Sequence, residues 1–231
     1  MKPHVICHMV ASVDGRIHAS RWRPKFDGGG LFERLHEEIG GDAWLVGRVT
    51  GQEFSKRREA YPAYTGQSFP REPWFTRRDA AAYGVVLDGA GKIAWGRSEI
   101  GGDPIVVVLT RQIGDSHLAG LRGEGVSYIF AGDKEVDLAL TLEILNRELG
   151  VKRLLVEGGG AANGAFFRAG LIDEISVAIV PAIDGGKGAP SVFDASGGDV
   201  GAAPRVRRMS LTQSQALENG AVWLRYRLEN D

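Results

Sequence analysis

The sequence predicts an α/β fold: a mostly parallel central sheet with helices on both faces and an antiparallel hairpin at the C-terminus. Three observations carry this. Short apolar, β-rich runs alternate with segments of helical spacing, the pattern of parallel strands joined by crossover helices. Two alternating runs flank Asn219-Gly220, a strong hairpin signal. No linker, low-complexity block or internal repeat interrupts the pattern, so residues 1–231 read as a single domain.

The elements follow in order. HVICHMVA (4–11) reads as the first strand. LFERLHEEIG (31–40) places Leu31, Phe32, Leu35 and Ile39 at helical spacing, and Gly40-Gly41 stops it. AWLVG (43–47) is a buried strand. GVVLD (84–88) and KIAW (92–95) read as two short strands around a glycine turn. PIVVVLT (104–110) is the most β-rich run, followed by a helix near 113–121 and the strand VSYIFA (126–131). VDLALTLEILNRELG (136–150) is the clearest helix, with Leu138, Leu142, Leu145 and Leu149 on one face and Gly150 at its end. KRLLVE (152–157) is a strand, GAFFRAGLIDE (164–174) a short helix, EISVAIVPAI (174–183) a strand, and the hairpin closes the chain. Residues 65–84 form the longest irregular excursion.

Composition narrows the function. The chain is 43% apolar and 25% charged with a formal net charge of -1, an ordinary globular balance with no electrostatic reason to bind nucleic acid or a membrane. No run approaches the ~18 apolar residues of a membrane span. The single cysteine, Cys7, lies in a β-like run and reads as a buried structural thiol, and a cytoplasmic location is the simpler expectation. The five histidines lack ligand spacing, so no metal is expected.

Residues able to do chemistry follow four of the strands. After 152–157 come Glu157 at the strand end and Gly158, Gly159 and Gly160. Backbone N–H groups at a helix start suit a phosphate, and an ordinary strand-to-helix turn suits these glycines equally. The dinucleotide fingerprint fails, because Asn163 stands where its third glycine belongs. Gly47 follows the second strand, with Thr50 as an N-cap or a hydroxyl for an anion. Thr110 and Arg111 end the strand 104–110, where a guanidinium fork suits a phosphomonoester and a solvated loop is the plainer reading. Ser12 and Asp14 leave the first strand, Asp14-Gly15 being also a turn dipeptide. Trp22 lies in HASRWRPKF (18–26), a candidate lid. In a parallel sheet these four exits would gather along one edge, where ligands bind.

With these residues in view, the chain resembles the reductase domain of riboflavin biosynthesis, the C-terminal domain of the bifunctional pyrimidine deaminase/reductase, within the dihydrofolate-reductase-like superfamily. The resemblance rests on MVASVDGRI (9–17), DAWLVGRVT (42–50), VVLD (85–88), VVVLT (106–110), LLVEGGGAANGAFFRAGLIDEISVAIVPAIDGG (154–186) and AVWLRYRL (221–228). It implies a three-layer fold, a free-standing reductase and NADPH as hydride donor to a ribosylaminopyrimidine phosphate. Gly47 and Thr50 would hold the cofactor, Thr110 and Arg111 would meet its 2′-phosphate, and Gly158, Gly159 and Gly160 its pyrophosphate. Ser12, Asp14 and Trp22 would face substrate. Asp14 or Glu157 would supply the proton. The Gly158–Gly159 peptide is expected to be cis, and a homodimer is implied, with the strand 174–183 in its interface. The chain departs from the family after Thr50: in place of an Asp-Asp-Pro segment and an arginine that serve substrate, it reads GQEFSKRREAYP (51–62). A reductase of the same fold acting on a pterin or another carbonyl, and an NADPH-binding module without catalysis, are the alternatives.

Overall fold

The structure, a computed structural model, describes residues 1–195 and 206–230. Its first half contains β1 (His4–Ser12), α1 (Leu31–Ile39), β2 (Ala43–Gly47), α2 (Arg48–Phe54), β3 (Tyr83–Leu87), β4 (Glu99–Ile100), β5 (Asp103–Leu109) and α3 (Asp115–Gly123). Its second half contains β6 (Ser127–Phe130), α4 (Leu138–Leu149), β7 (Arg153–Val156), α5 (Gly160–Arg168), β8 (Glu174–Val180), β9 (Val206–Ala216) and β10 (Val222–Asn230). The chain divides into two compact units, residues 1–3 with 42–152, and residues 4–41 with 153–231.

In the first unit, parallel strands run in the order β2, β3, β5, β6, with β4 antiparallel against the start of β5. Successive side chains of a strand point to opposite faces, and every β5 residue from Pro104 to Leu109 is buried, so both faces are covered. Helix α2 packs on β2 and β3, and α3 and α4 on β6. Helix α4 begins at Asp137, whose side chain accepts the Leu140 N–H at 2.9 Å, and ends at Gly150 in the left-handed conformation. Its buried face is Thr141, Leu142, Ile144 and Leu145, with Leu138 and Leu149 only half-buried at its ends. The irregular excursion is pinned down: Trp74 exchanges two backbone hydrogen bonds of 2.9 Å with Tyr128, and the Arg71 guanidinium reaches Asp115 at 2.6 Å and the Ile113 carbonyl at 2.8 Å.

In the second unit the strand order is β7, β1, β8, β10, β9. Strand β1 lies parallel to β7 and β8, and the C-terminal strands are antiparallel. The hairpin turn places Asn219 and Gly220 at φ of 59° and 77°, the backbone region that asparagine and glycine enter most readily. Helix α1 packs on β1 and buries Leu31, Leu35 and Ile39.

Three readings from sequence change. Residues 92–95 form no strand, although Ile93, Ala94 and Trp95 are buried, because backbone N–H groups go to side chains: Ile93 to Asp88, and Trp95 to Tyr61 and Glu124. Helix α5 starts at Gly160, four residues before the apolar pattern at 164 suggests, since glycine and alanine carry no amphipathic signal. Thr50 sits inside the first turn of α2, whose cap position is Gly47. Strand β8 has both edges paired, to β1 and β10.

The face of α5 carrying Gly160 and Gly164 lies against residues 191–194. A Cβ at Gly164 would fall 1.9 Å from the Asp194 carbonyl oxygen, and one at Gly160 would fall 2.3 Å from that of Ser191. The Gly164→Ala variant should lose about 1–3 kcal/mol, a drop of several degrees in Tm for a chain of this length. Calorimetry checks this, and an unchanged melt would mean that the contact is not held in solution.

Candidate active site

The C-terminal ends of parallel strands gather the candidate residues within each unit. In the unit of residues 42–152, Gly47, Asp88 and Thr110 follow β2, β3 and β5 on one edge. Gly47 leads directly into α2, whose N-terminus has no side-chain cap. Thr110 is buried, and its hydroxyl donates to the Gly89 carbonyl at 2.8 Å, fastening the end of β5 to the turn after β3. Arg111 projects from this fastened turn with 56% of its side chain exposed. It donates to the Arg71 carbonyl at 3.1 Å and lies 3.6 Å from Asp133. Asp88 spends one carboxylate oxygen on the Ile93 N–H, and its other oxygen is buried with no partner. Burial raises its pKa.

In the unit of residues 4–41 and 153–231, Ser12 ends β1 and its hydroxyl donates to Asp14 at 2.5 Å. Asp14 also accepts the Asp184 N–H at 3.1 Å and the Gly185 N–H at 2.9 Å, both from the loop after β8. These hydrogen bonds, that from Ser12 foremost, hold the Asp14 carboxyl at about 2. It is therefore an anion at any physiological pH and an organiser of the loop. Trp22 is buried, donating from Nε1 to the Arg16 carbonyl at 3.2 Å, and its neighbour Arg23 exchanges two backbone hydrogen bonds of 2.9 Å with Ile183. Residues 18–26 thus form a wall tied to Arg16 and Ile183. That wall, with Met9, Phe26, Phe32 and Glu33, lines a cleft of about 350 Å³.

Glu157 stands apart from this group. The register pairs Cys7 with Val156, so Glu157 leaves the sheet level with His8. Ser12 lies four residues further along β1, roughly 13 Å at about 3.3 Å per residue. The two carboxylates suggested by sequence are therefore not neighbours. Instead Glu157 Oε1 lies 2.7 Å from Nδ1 of His36 on α1. Burial pushes the Glu157 carboxyl up, the His36 hydrogen bond and charge oppose that rise, and Glu33 adds to it. Cys7 is fully buried, and burial followed by the Glu157 charge pushes its thiol up, in keeping with an inert structural role. His8 is held at about 4 by burial and stacks on Phe32 at 4.9 Å.

The glycine turn after Glu157 combines two geometric features. Gly158 has φ of +116°, a conformation open to glycine, and its peptide to Gly159 is cis, as the resemblance implies. A Cβ at Gly158 would meet only Met9, at 3.8 Å, so the turn is not packed shut on that side. Gly159 caps α5 with no side chain engaged, leaving the first N–H groups of the helix for an outside acceptor. Gly160 presents its Cα to residues 191–194 and offers a ligand only its N–H. Free backbone N–H groups at a helix start and an exposed guanidinium are both donors suited to an anion.

His36 was not legible in the sequence as a site residue. It sits beside the apolar stripe of α1 and meets Glu157 across 121 residues of chain, a pairing that no local spacing reveals.

A family model described as the RibD C-terminal domain matches residues 3–223. The 2,5-diamino-6-ribosylamino-4(3H)-pyrimidinone 5′-phosphate reductase of Methanothermobacter thermautotrophicus is 29% identical over 205 residues, covering 86% of this chain and 87% of that protein. A pyrimidine reductase-like protein from Corynebacterium diphtheriae has a similar structure, with a TM-score of 0.71 at 17% identity over 99% of this chain and 93% of the other. Dihydrofolate reductase from Enterococcus faecalis, complexed with NADP(H), reaches 0.50 at 10% identity over 98% and 97%. The two structural likenesses are likenesses of fold, and the fold is dihydrofolate-reductase-like.

Asp14 gives a pH prediction. Its folded pKa of about 2 lies below the ordinary 3.8, so its stabilisation is present above the ordinary value and lost as pH falls through about 2. Wild type should be more stable than Asp14→Asn at about pH 6, with the gap closing toward about pH 2. Urea midpoints across that range measure it, and a gap that does not vary with pH would refute the assignment.

Proposed function

The chain belongs to the RibD C-terminal domain family, and from that premise we propose that it is an NADPH-dependent reductase of riboflavin biosynthesis. In this reading it is a single reductase domain that converts the ribosyl group of an aminopyrimidine 5′-phosphate to a ribityl chain. The observation that carries the reading is the turn from β7 into α5: a buried carboxyl, an open cis glycine pair and an uncapped helix start in immediate succession. A nicotinamide cofactor bound to this protein supplies the hydride; the chain supplies placement, a proton and a dry site.

Gly158 and Gly159 let backbone approach the pyrophosphate, with the first N–H groups of α5 as donors. Gly47 and Thr50, at the start of α2, contact a further part of the cofactor. Arg111 carries the positive charge for the 2′-phosphate, and Thr110 fixes the turn from which it projects. On the substrate side, Ser12 and Asp14 order the loop after β8, and Trp22 walls a cleft large enough for a planar ring. Asp14, held as an anion, is an acceptor. The proton-donor role falls to Glu157, whose burial favours the neutral acid. The substrate is a ribosylaminopyrimidine phosphate with either an oxo or an amino group at C2 of the ring. Glu33 at the cleft offers a carboxylate to an exocyclic amine, which favours the 2-amino form named for the Methanothermobacter relative over the uracil form.

The protein would work in the cytoplasm as a homodimer. The exposed Met209 and Leu211 on β9 support association through that region, and a light-scattering mass tests it. No helix among the described residues is long and apolar enough to cross a membrane.

Two measurements test the reading. In thermal-shift titrations NADPH should stabilise the protein by about 2.7 kcal/mol at a hundredfold excess over Kd, and NADH much less. The Arg111→Ala variant should bind NADPH about tenfold or more weakly, from the loss of a charge-assisted hydrogen bond worth roughly 1.5–3 kcal/mol, with NADH affinity unchanged. Equal losses for both would remove Arg111 from the phosphate site, and no shift with either nucleotide would undo the cofactor assignment. With the two pyrimidine phosphates as substrates, kcat/KM should favour the 2-amino form; a preference for the uracil form would remove Glu33 from substrate selection.

A further inference from the structure

The described residues hold one buried carboxyl joined to a partly exposed imidazole. The Glu157 side chain is 6% exposed and that of His36 is 32% exposed, with Oε1 and Nδ1 2.7 Å apart. The carboxyl follows β7 and the imidazole comes from α1, so the pair spans two elements, one of which reaches solvent. The titratable groups facing Glu157 are few. From α1 come His36 and Glu33, and from β1 comes the Cys7 thiol, which stays protonated. His8, level with Glu157 on β1, is neutral and is occupied at Nδ1 by Ser176 at 3.1 Å. Among these groups, His36 is the one that both touches the carboxyl and is partly open to water.

We propose that His36 is the positioning residue that returns a proton from solvent to Glu157 in each reduction. The inference rests on the reductase reading and extends it to a residue that a single sequence does not reveal. The balance is simple. Carbon C1′ of the ribosyl group gains a hydride as its bond to the ring oxygen breaks, and that oxygen gains the Glu157 proton as the carboxyl O–H breaks. The imidazolium N–H then breaks to re-form the carboxyl O–H, and a solvent proton restores the imidazolium. No further oxidant or reductant enters.

Two experiments test this, one without substrate. In the first, the His36 ring is titrated by NMR in wild type and in Glu157→Gln. Replacing the carboxyl that shares the His36 hydrogen bond should move the His36 midpoint. An unmoved midpoint overturns the dyad whether or not the protein is a reductase. In the second, kcat is followed against pH in His36→Gln, which keeps a hydrogen-bond donor but cannot titrate. We expect kcat to fall about a hundredfold with the KM for NADPH unchanged, and imidazole added to His36→Ala to restore part of the rate. Wild-type kcat and pH profile in His36→Gln, or no rescue by imidazole, overturns the proposal. A moved NMR midpoint in a protein that reduces neither pyrimidine phosphate overturns the reductase reading instead, and with it the role assigned to His36.

Discussion

The shortness of β7 governs the candidate site. The strand pairs with β1 only from His4 to Cys7, while β1 continues to Ser12 alongside β8. The chain must therefore leave the sheet early, at Glu157, level with the middle of β1. A carboxylate at the far end of a strand would face water. Here it is placed against α1 and β1, where burial favours its neutral form and where a hydrogen-bond partner must be supplied. His36 supplies that partner from α1, whose Leu31, Leu35 and Ile39 fix the helix on the unit's core. One additional strand residue before the turn would reverse the side chain's face and break the pair.

The same geometry sorts the two carboxylates chemically. Asp14 lies where β1 has run its full length, is exposed, and collects a hydroxyl and two backbone N–H groups, all of which favour the anion. Glu157 lies inside, and what dominates is the loss of water. One residue class thus yields a fixed anion and a candidate acid because the two strand ends differ in depth, a division by environment that active sites use widely.

Much of the fold was legible in the sequence, because strands buried on both faces and helices with one apolar stripe leave strong periodic signals. The leucines of α4, the alternating runs of the hairpin and the β-branched run of β5 all marked real elements. What failed had local physical causes. The run at residues 92–95 is as apolar as a strand, yet its N–H groups are taken by side chains: by Asp88 nearby, and by Tyr61 and Glu124, distant residues that no window contains. The start of α5 carries glycine and alanine and so no periodicity. Of the site, the residues at strand exits could be listed but not paired: Ser12 with Asp14 was within reach of local reading, whereas Glu157 with His36 depends on the register of β7 against β1 and on how α1 seats.

The glycines after Glu157 show why composition alone left a turn and an anion cradle equally plausible. A helix start that must offer its N–H groups to a ligand cannot also be capped by its own side chains, and α5 is uncapped. It needs another anchor to stay rigid, and backbone supplies one from the opposite side. The Gly160 carbonyl accepts the Asp194 N–H at 2.9 Å, Asn163 donates to the Val192 carbonyl at 2.8 Å, and Arg168 donates to the Asp194 carbonyl at 3.1 Å. Such close backbone contact excludes a Cβ at Gly160 and Gly164. Gly158 and Gly159 meet the other requirement, a turn whose conformation and openness let an anion approach. The run of glycine is therefore two adjacent demands written in one residue type, packing behind the helix and access in front of it. The second depends on the first, because an unanchored helix start would present its donors in no fixed direction.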